Sequence, residues 1–140
     1  MTAPRLAVLA GVMSGNQHHD AETIVAAARK QLGTLSRQAV YDNLHALVAA
    51  GLIRCIQPKG HPARYEARVA DNHHHVVCRL CGVTADVDCT VGAAPCLEPS
   101  ASHGFVVEEA EVIFWGVCPR CRNHTETPKE QLARVTRSWN

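Results

Sequence analysis

Apolar positions recur at helical spacing three times in the first fifty residues. Leu6, Leu9 and Met13 form one stripe behind Pro4, which suits a first helical turn, and Gly15 with Asn16 ends the pattern. Ile24, Ala28 and Leu32, with Val25 beside them, mark a second helix that Asp20 can cap and Gly33 can close. Val40, Leu44, Leu47 and Val48 fall at i, i+4, i+7 and i+8 behind a capping Ser36, and Gly51 stops the run. The period then changes. Leu52–Ile56 and Arg64–Val69 read as two strands around a Pro-Lys-Gly-His-Pro turn at residues 58–62.

Helices followed directly by a basic-tipped hairpin describe a winged helix-turn-helix. In that geometry the third helix enters the major groove of DNA and the wing touches the phosphate backbone. The solvent face of the third helix offers Arg37, Gln38 and Tyr41 near its N-terminal end, where base edges are met, and Lys59 tips the wing. Asp42 is an awkward neighbour for phosphate. The plainer alternative is an amphipathic helix whose polar face is only solvated.

The second half carries strand patterns instead. "VTADVDC" and "FVVEEAEVIFWGV" bracket a less regular stretch, the latter with alternating apolar positions. The fold class expected is therefore α+β in two domains. The winged helix takes residues 1–70, an α/β metal-binding domain takes residues 71–124, and a polar tail follows at 125–140.

Charge supports this division. The net +1 hides an asymmetry: residues 1–70 hold eight Lys/Arg against four Asp/Glu, and residues 71–140 hold six against nine. The first half is modestly basic and the second acidic. Composition adds that 46% of the 140 residues are hydrophobic but only 4% aromatic, so small apolar side chains do most of the packing. No stretch approaches eighteen unbroken apolar residues, which argues against a membrane span. The opening lacks the basic start and long apolar run of a secretory signal. The expected location is the cytoplasm.

Seven cysteines, an odd number, in a reducing compartment point to metal or redox chemistry rather than a disulfide framework. Cys78-x-x-Cys81 and Cys118-x-x-Cys121 are two matched pairs, each able to turn two thiolates toward one ion. Four thiolates in a tetrahedron suit a closed structural zinc site. The 36 residues between the pairs exceed a compact ribbon's spacing, so strands must fold back to join them. A dithiol redox pair or buried free thiols are the alternatives; a thiol oxidoreductase would place its pair at a helix N-terminus, where the thiolate is activated. A zinc hydrolase lacks any HExxH-like spacing here. Cys55, Cys89 and Cys96 show no pattern and read as packing or incidental thiols.

The run "DNHHHVVCRLCG" from Asp71 poses a second metal problem. In an extended strand His73 and His75 point to one face and His74 to the other. His73 and His75 can grip one ion, with Glu66 at the end of the wing and Asp86 on the next strand as the candidate carboxylates. A nitrogen and oxygen donor set without thiolate suits iron(II) or manganese(II) as well as zinc.

Together, "QHHDAETI", "SRQAVYDNLHALVAAGLI", "RYEARVADNHHHVVCRLCG", "ADVDC" and "EVIFWGVCPRC" resemble the ferric uptake regulator (Fur) family over roughly residues 2–122. The likeness is closest to its peroxide-responsive branch, and in particular to actinobacterial regulators of a catalase or catalase-peroxidase gene. The resemblance implies a homodimeric, metal-dependent repressor that binds double-stranded operator DNA and is not an enzyme. Its C-terminal domain is then the dimerisation domain. It implies structural zinc on Cys78, Cys81, Cys118 and Cys121, and regulatory Fe2+ or Mn2+ on His18, Glu66, His73, His75 and Asp86.

Asp86 stands where iron-sensing members usually carry Glu and peroxide sensors Asp. In the peroxide branch, iron(II) and peroxide oxidise a site histidine, and His18 and His73 match the positions concerned. An iron- or zinc-uptake repressor that ignores peroxide is the alternative within the family. Two departures stand out. Relatives generally have a further basic helix before the Thr2–Arg5 stretch, which implies a shifted start or weaker DNA affinity here. A further metal site of some members falls on Asn72, His74 and Ala110, and alanine cannot ligate, so that site is expected to be absent.

Overall fold

The first helix, α1 (Ala3–Met13), starts where Thr2 accepts a hydrogen bond from the Arg5 amide, and proline occupies its first turn. In this computed structural model, residues 1–15, 18–69, 71–90 and 95–124 are described. Asn16, Ala70 at the expected domain boundary and the tail at 125–140 lie outside the described residues.

The Asp20 side chain caps α2 (Ala21–Leu32) by accepting from the Thr23 amide at 2.8 Å. Ser36 caps α3 (Arg37–Ala49) through the Ala39 amide at 3.0 Å. All three starts fall where the capping side chains stand in the sequence. Val40, Leu44 and Leu47 of α3 are fully buried, and Val48 packs at the margin of the same cluster.

The first helix docks by a different face from the one its large side chains suggest. Ala7, Val8, Gly11 and Val12 are buried, whereas Leu6 and Met13 are exposed and Leu9 is half-buried. The reason is steric: α1 packs closely on both α2 and α3, and a Cβ on Gly11 would sit 3.4 Å from Ile24 Cγ2 and 3.5 Å from Ala27 Cβ. A seam of small residues permits that approach; a leucine stripe would hold the helices further apart. Leu32, expected on the buried stripe of α2, is likewise exposed.

Two three-stranded sheets complete the described residues. In the first, β1 (His19–Asp20), β2 (Arg54–Ile56) and β3 (Arg64–Glu66) run in the order β1-β3-β2, all antiparallel. The hairpin strands are shorter than expected. Leu52 folds back on α3 through its amide to Leu47 O at 3.0 Å, and Ile53 enters the helical core, so pairing begins only at Arg54. The two-residue β1, set just before α2, ties the start of that helix to the hairpin.

In the second sheet, β4 (His73–Cys78) lies between β5 (Thr84–Asp88), antiparallel, and β6 (Ile113–Gly116), parallel. The expected strand character of "FVVEEAEVIFWGV" survives only in its last third. Phe105–Val112 forms no strand, and Phe105 and Val106 are exposed. The parallel register sets Cys78 opposite Gly116, which brings the two Cys-x-x-Cys pairs to one end of the sheet. That is the folding-back the 36-residue interval requires. A short helix, α4 (Pro119–His124), follows and carries Cys121.

The hairpin turn reaches this second sheet. Gly82, just past the first cysteine pair, has φ +76°, and a Cβ there would lie 2.8 Å from His61 Nδ1. The His61 ring in turn stacks 5.9 Å from Trp115 of β6.

The α1 seam gives a direct expectation. Gly11→Ala fits at ordinary contact distance and gains helix propensity of up to about 1 kcal/mol, whereas Gly11→Leu overpacks the seam and costs about 1–3 kcal/mol. Urea denaturation of the protein distinguishes the two by opposite shifts in midpoint.

Candidate metal centres

His18 precedes β1, Glu66 ends β3, His73 and His75 lie on β4, and Asp86 is on β5. Alternation along β4 turns His73 and His75 to one face, and the antiparallel register places Asp86 opposite His75 and Asp88 opposite His73. The same face meets the end of the first sheet, where Glu66 and His18 are buried. Donors from both halves of the chain therefore meet at one point.

The distances are those of a shared ligand sphere. Glu66 Oε2 lies 2.6 Å from His18 Nε2, while its Oε1 lies 3.0 Å from His73 Nε2 and 3.1 Å from His75 Nε2. Asp86 Oδ1 lies 2.9, 3.4 and 3.5 Å from the same three nitrogens. Donors bonded to one ion at about 2.1 Å stand roughly 3.0–3.4 Å apart for right-angle to tetrahedral geometry. His18, Glu66, His75 and Asp86 converge within 4.8 Å of one another, and His73 joins them through both carboxylates.

The electrostatics argue in the same direction. Burial pushes the Glu66 carboxyl up, but the imidazoles of His18 and His75 override it and hold the group far below the ordinary carboxylate range. Burial likewise pulls His18 down, and Glu66 and then Asp86 outweigh it, leaving the imidazole raised. Without a cation, then, a buried carboxylate is balanced by imidazolium. A dication with two carboxylates and neutral imidazoles is formally neutral and removes the need for that proton. His18 Nδ1 and His75 Nδ1, the nitrogens turned away from the site, have no hydrogen-bond partner among the described residues. The residues present fit a divalent ion of the iron(II) or manganese(II) kind.

An outer ring orients these donors, and the sequence reading missed it. Asp71 Oδ1 lies 2.7 Å from His73 Nδ1 and fixes that ring. Arg68 pairs with Asp71, with Asp86 Oδ2 at 3.3 Å and with Asp88 Oδ1 at 2.7 Å. Asp71 lies three residues along from Arg68, and the β4–β5 pairing brings Asp86 and Asp88 to the same guanidinium.

The four matched cysteines form a second group, one sulfur from each within 4.8 Å of the others. Cys81 Sγ and Cys118 Sγ are 3.7 Å apart, against roughly 3.8 Å for two thiolates on a tetrahedral zinc at about 2.3 Å. Amides of the turns point at the sulfurs: Cys118 N–H donates to Cys78 Sγ at 3.3 Å and Cys121 N–H to Cys118 Sγ at 3.4 Å. Desolvation pushes the Cys78 thiol up, but the amides of Cys118, Cys81 and Leu80 override it and bring it to about 6. Cys121, hydrogen-bonded to the Cys118 thiol and close to the others, is pushed up to about 12. One thiolate forms readily and the last resists, so four can coexist only around a cation.

A third group was not foreseen. His74, on the opposite face of β4, gathers with Cys89 and Cys96, the latter with its sulfur 2.8 Å from His74 Nε2. These two cysteines are therefore not scattered packing thiols. Cys55 is exposed on the hairpin.

The residues expected at DNA lie at the surface with one exception. Arg37 is exposed on the first turn of α3 and pairs with Glu22 at 3.0 Å; Gln38 donates to Asp42 at 2.9 Å, which occupies that acid. Lys59 is exposed in the hairpin turn. Tyr41 is half-buried against the helical core and offers only part of its ring.

With this geometry in hand, the likeness to known proteins is decisive. Residues 1–115 match the sequence profile of the ferric uptake regulator family. This chain belongs to that family. It is 63% identical over 121 residues to the transcriptional regulator FurA of Mycobacterium tuberculosis, covering 86% of this chain and 82% of that one. Against ferric uptake regulation protein 2 of Mycolicibacterium fortuitum it is 57% identical over 123 residues, 86% and 84% of the two chains. The crystal structure of the Campylobacter jejuni peroxide stress regulator superposes with a TM-score of 0.66 at 25% identity, covering 84% of this chain and 88% of that one. As a Fur-family member the chain is a metal-responsive transcriptional regulator and not an enzyme, and its winged helix followed by a metal-binding α/β domain is the Fur fold. Among the described residues no helix is long and apolar enough to cross a membrane.

Arg68→Ala would free Asp71 and Asp86 from their common anchor. In calorimetric titration of the zinc-loaded protein, Mn2+ affinity is expected to fall roughly 10–100-fold while zinc content stays at about one per chain.

Proposed function

We propose that this Fur-family regulator is a cytoplasmic, peroxide-sensing repressor that binds operator DNA as a homodimer and controls a catalase or catalase-peroxidase gene. The observation that carries the reading is the convergence of three imidazoles and two carboxylates contributed from both sides of the chain. Structural zinc sits on Cys78, Cys81, Cys118 and Cys121, and Fe2+ or Mn2+ on His18, Glu66, His73, His75 and Asp86. Within that division, residues 1–70 are the DNA reader and residues 71–124 the dimerisation domain.

The regulatory mechanism follows from which element supplies each donor. His18 and Glu66 belong to the winged helix, and His73, His75 and Asp86 to the second sheet. An ion held by all five fixes the angle between the two, and with it the separation of the two reader helices in a dimer. Occupancy then selects the operator-binding arrangement through its higher affinity for that state, a coupling of order 1–3 kcal/mol. Arg37, Gln38 and Tyr41 meet base edges while Lys59 contacts phosphate. Dimerisation has a candidate surface in Val76 and its β6 neighbour Phe114, exposed side by side on the second sheet with Val83 and Val117.

Two features support peroxide as the signal. Asp rather than Glu occupies position 86, and the chain resembles a peroxide stress regulator over most of its length. Iron(II), when bound, would supply the one-electron chemistry that activates hydrogen peroxide, with peroxide and not iron as the net two-electron oxidant of the ring. His18 and His73 hold their Nε2 atoms at the ion's place, so one of these rings receives one peroxide oxygen while the other leaves as water. An oxidised ring would be a poorer donor, so the remaining residues would hold the ion less tightly and the link between the two halves would weaken.

The FurA and ferric uptake names of the more similar relatives favour a second reading, repression by metal alone without peroxide sensing. Mass spectrometry after Fe2+ and a small dose of peroxide separates the two. A gain of about 16 Da on His18 or His73 is expected, and oxidation confined to cysteine sulfur contradicts the peroxide reading. The clamp is tested independently: His73→Ala is expected to abolish Mn2+-dependent operator binding in a mobility-shift assay with about one zinc per chain retained. Unchanged binding by that variant in chelator overturns the clamp.

A further inference from the structure

The third side-chain group takes no part in the function just described. His74 lies between the two β4 histidines of the regulatory site, yet strand alternation turns it to the other face. Its register partner on β5 is Val87, and Cys89 follows directly after the end of that strand. Cys96 Sγ lies 2.8 Å from His74 Nε2, with the Cys96 thiol hydrogen-bonded to Cys89. One donor atom from each of the three lies within 4.8 Å of the others. His74 is only 6% exposed, and its other nitrogen, Nδ1, accepts a long hydrogen bond of 3.4 Å from the Val112 amide.

We propose that His74, Cys89 and Cys96 form a third metal site, selective for a thiophilic d10 ion such as zinc(II), on the face of β4 opposite the regulatory centre. Two sulfurs and one imidazole are a softer set than the nitrogen and oxygen donors on the other face, so the two sides of one strand sort different metals. Three protein ligands leave one position of a zinc tetrahedron unfilled by this group. In the metal-free form the Val112 contact leaves the ring proton on Nε2. Ion entry replaces that proton, which moves to Nδ1 and breaks the long contact, and it displaces the protons of both thiols. The site shares only His74 with the further family position expected at Asn72, His74 and Ala110, and it needs neither of the other two. Occupancy would tie the stretch around Cys96 to the sheet.

Thiol alkylation with peptide mapping, on the full chain in its reduced, zinc-loaded form after dialysis against EDTA, reads this site residue by residue. One added equivalent of Zn2+ is expected to slow N-ethylmaleimide labelling of Cys89 and Cys96 by at least about tenfold, since the free thiolate is the nucleophile, while exposed Cys55 reacts as before. His74→Ala is expected to abolish that protection, and Cys96→Ser to remove one bound zinc per chain with Cys78, Cys81, Cys118 and Cys121 still protected. Asp86→Ala, which removes a regulatory donor, is expected to leave protection of Cys89 and Cys96 intact, so failure of the regulatory reading does not mimic failure of this one. Equal labelling with and without Zn2+ overturns the site, as does protection that survives His74→Ala but is lost in Asp86→Ala.

Discussion

Glu66 is the point on which the two halves of this molecule meet. Its carboxylate is 4% exposed, and its two oxygens lie within 3.2 Å of three imidazoles, one from the segment before β1 and two from β4. A buried carboxylate surrounded by buried imidazoles is stable in only two ways: with protons on some of the rings, or with a cation among them. The first way makes the junction sensitive to protons and weak as a clamp. The second satisfies every donor at once and links the winged helix to the second sheet through bonds that neither part supplies alone.

Strand β4 organises the rest. Its side chains alternate, so one face sends His73 and His75 to the junction and the other sends His74 to Cys89 and Cys96. Its last residue, Cys78, stands opposite Gly116 of β6, which fixes where the second cysteine pair must lie. The cysteine group thus closes the end of the sheet, and Gly82 beside it leaves room for the hairpin turn at His61. Within one small sheet, hard and soft donors are kept apart by the pleat alone. Four cysteine sulfurs gather at one end of the sheet, and the imidazoles and carboxylates gather away from them on the face of His73 and His75.

Local chemistry was legible in the sequence and distant pairing was not. Asp20 and Ser36 cap helices where expected because a cap needs only three neighbouring residues. The matched cysteine pairs and the His-x-His spacing declared their geometry for the same reason. By contrast, α1 turned its small residues inward, since the choice of face depends on how closely α2 and α3 approach. Arg68 and the Cys89–Cys96 pair went unread because chain pairing rather than local spacing brings Asp86 and Asp88 to the one and His74 to the other. The apolar run from Phe105 onward looked like a strand, yet among the described residues only Ile113–Gly116 pair as one. Glu66, from the hairpin, was legible as a carboxylate partner of His73 and His75 by its place beside them, whereas His18, from an apparently unremarkable turn, entered the ligand set through family resemblance alone.

Soaking crystals of the zinc-loaded protein with Mn2+ and locating the ion by anomalous scattering tests the shared grip most directly. The account predicts one manganese peak bonded to His18 and Glu66 from the winged helix and to His73, His75 and Asp86 from the sheet, with bonds near 2.2 Å. A peak held by the sheet residues alone, with His18 turned away while the same protein still requires Mn2+ to bind DNA, would contradict it.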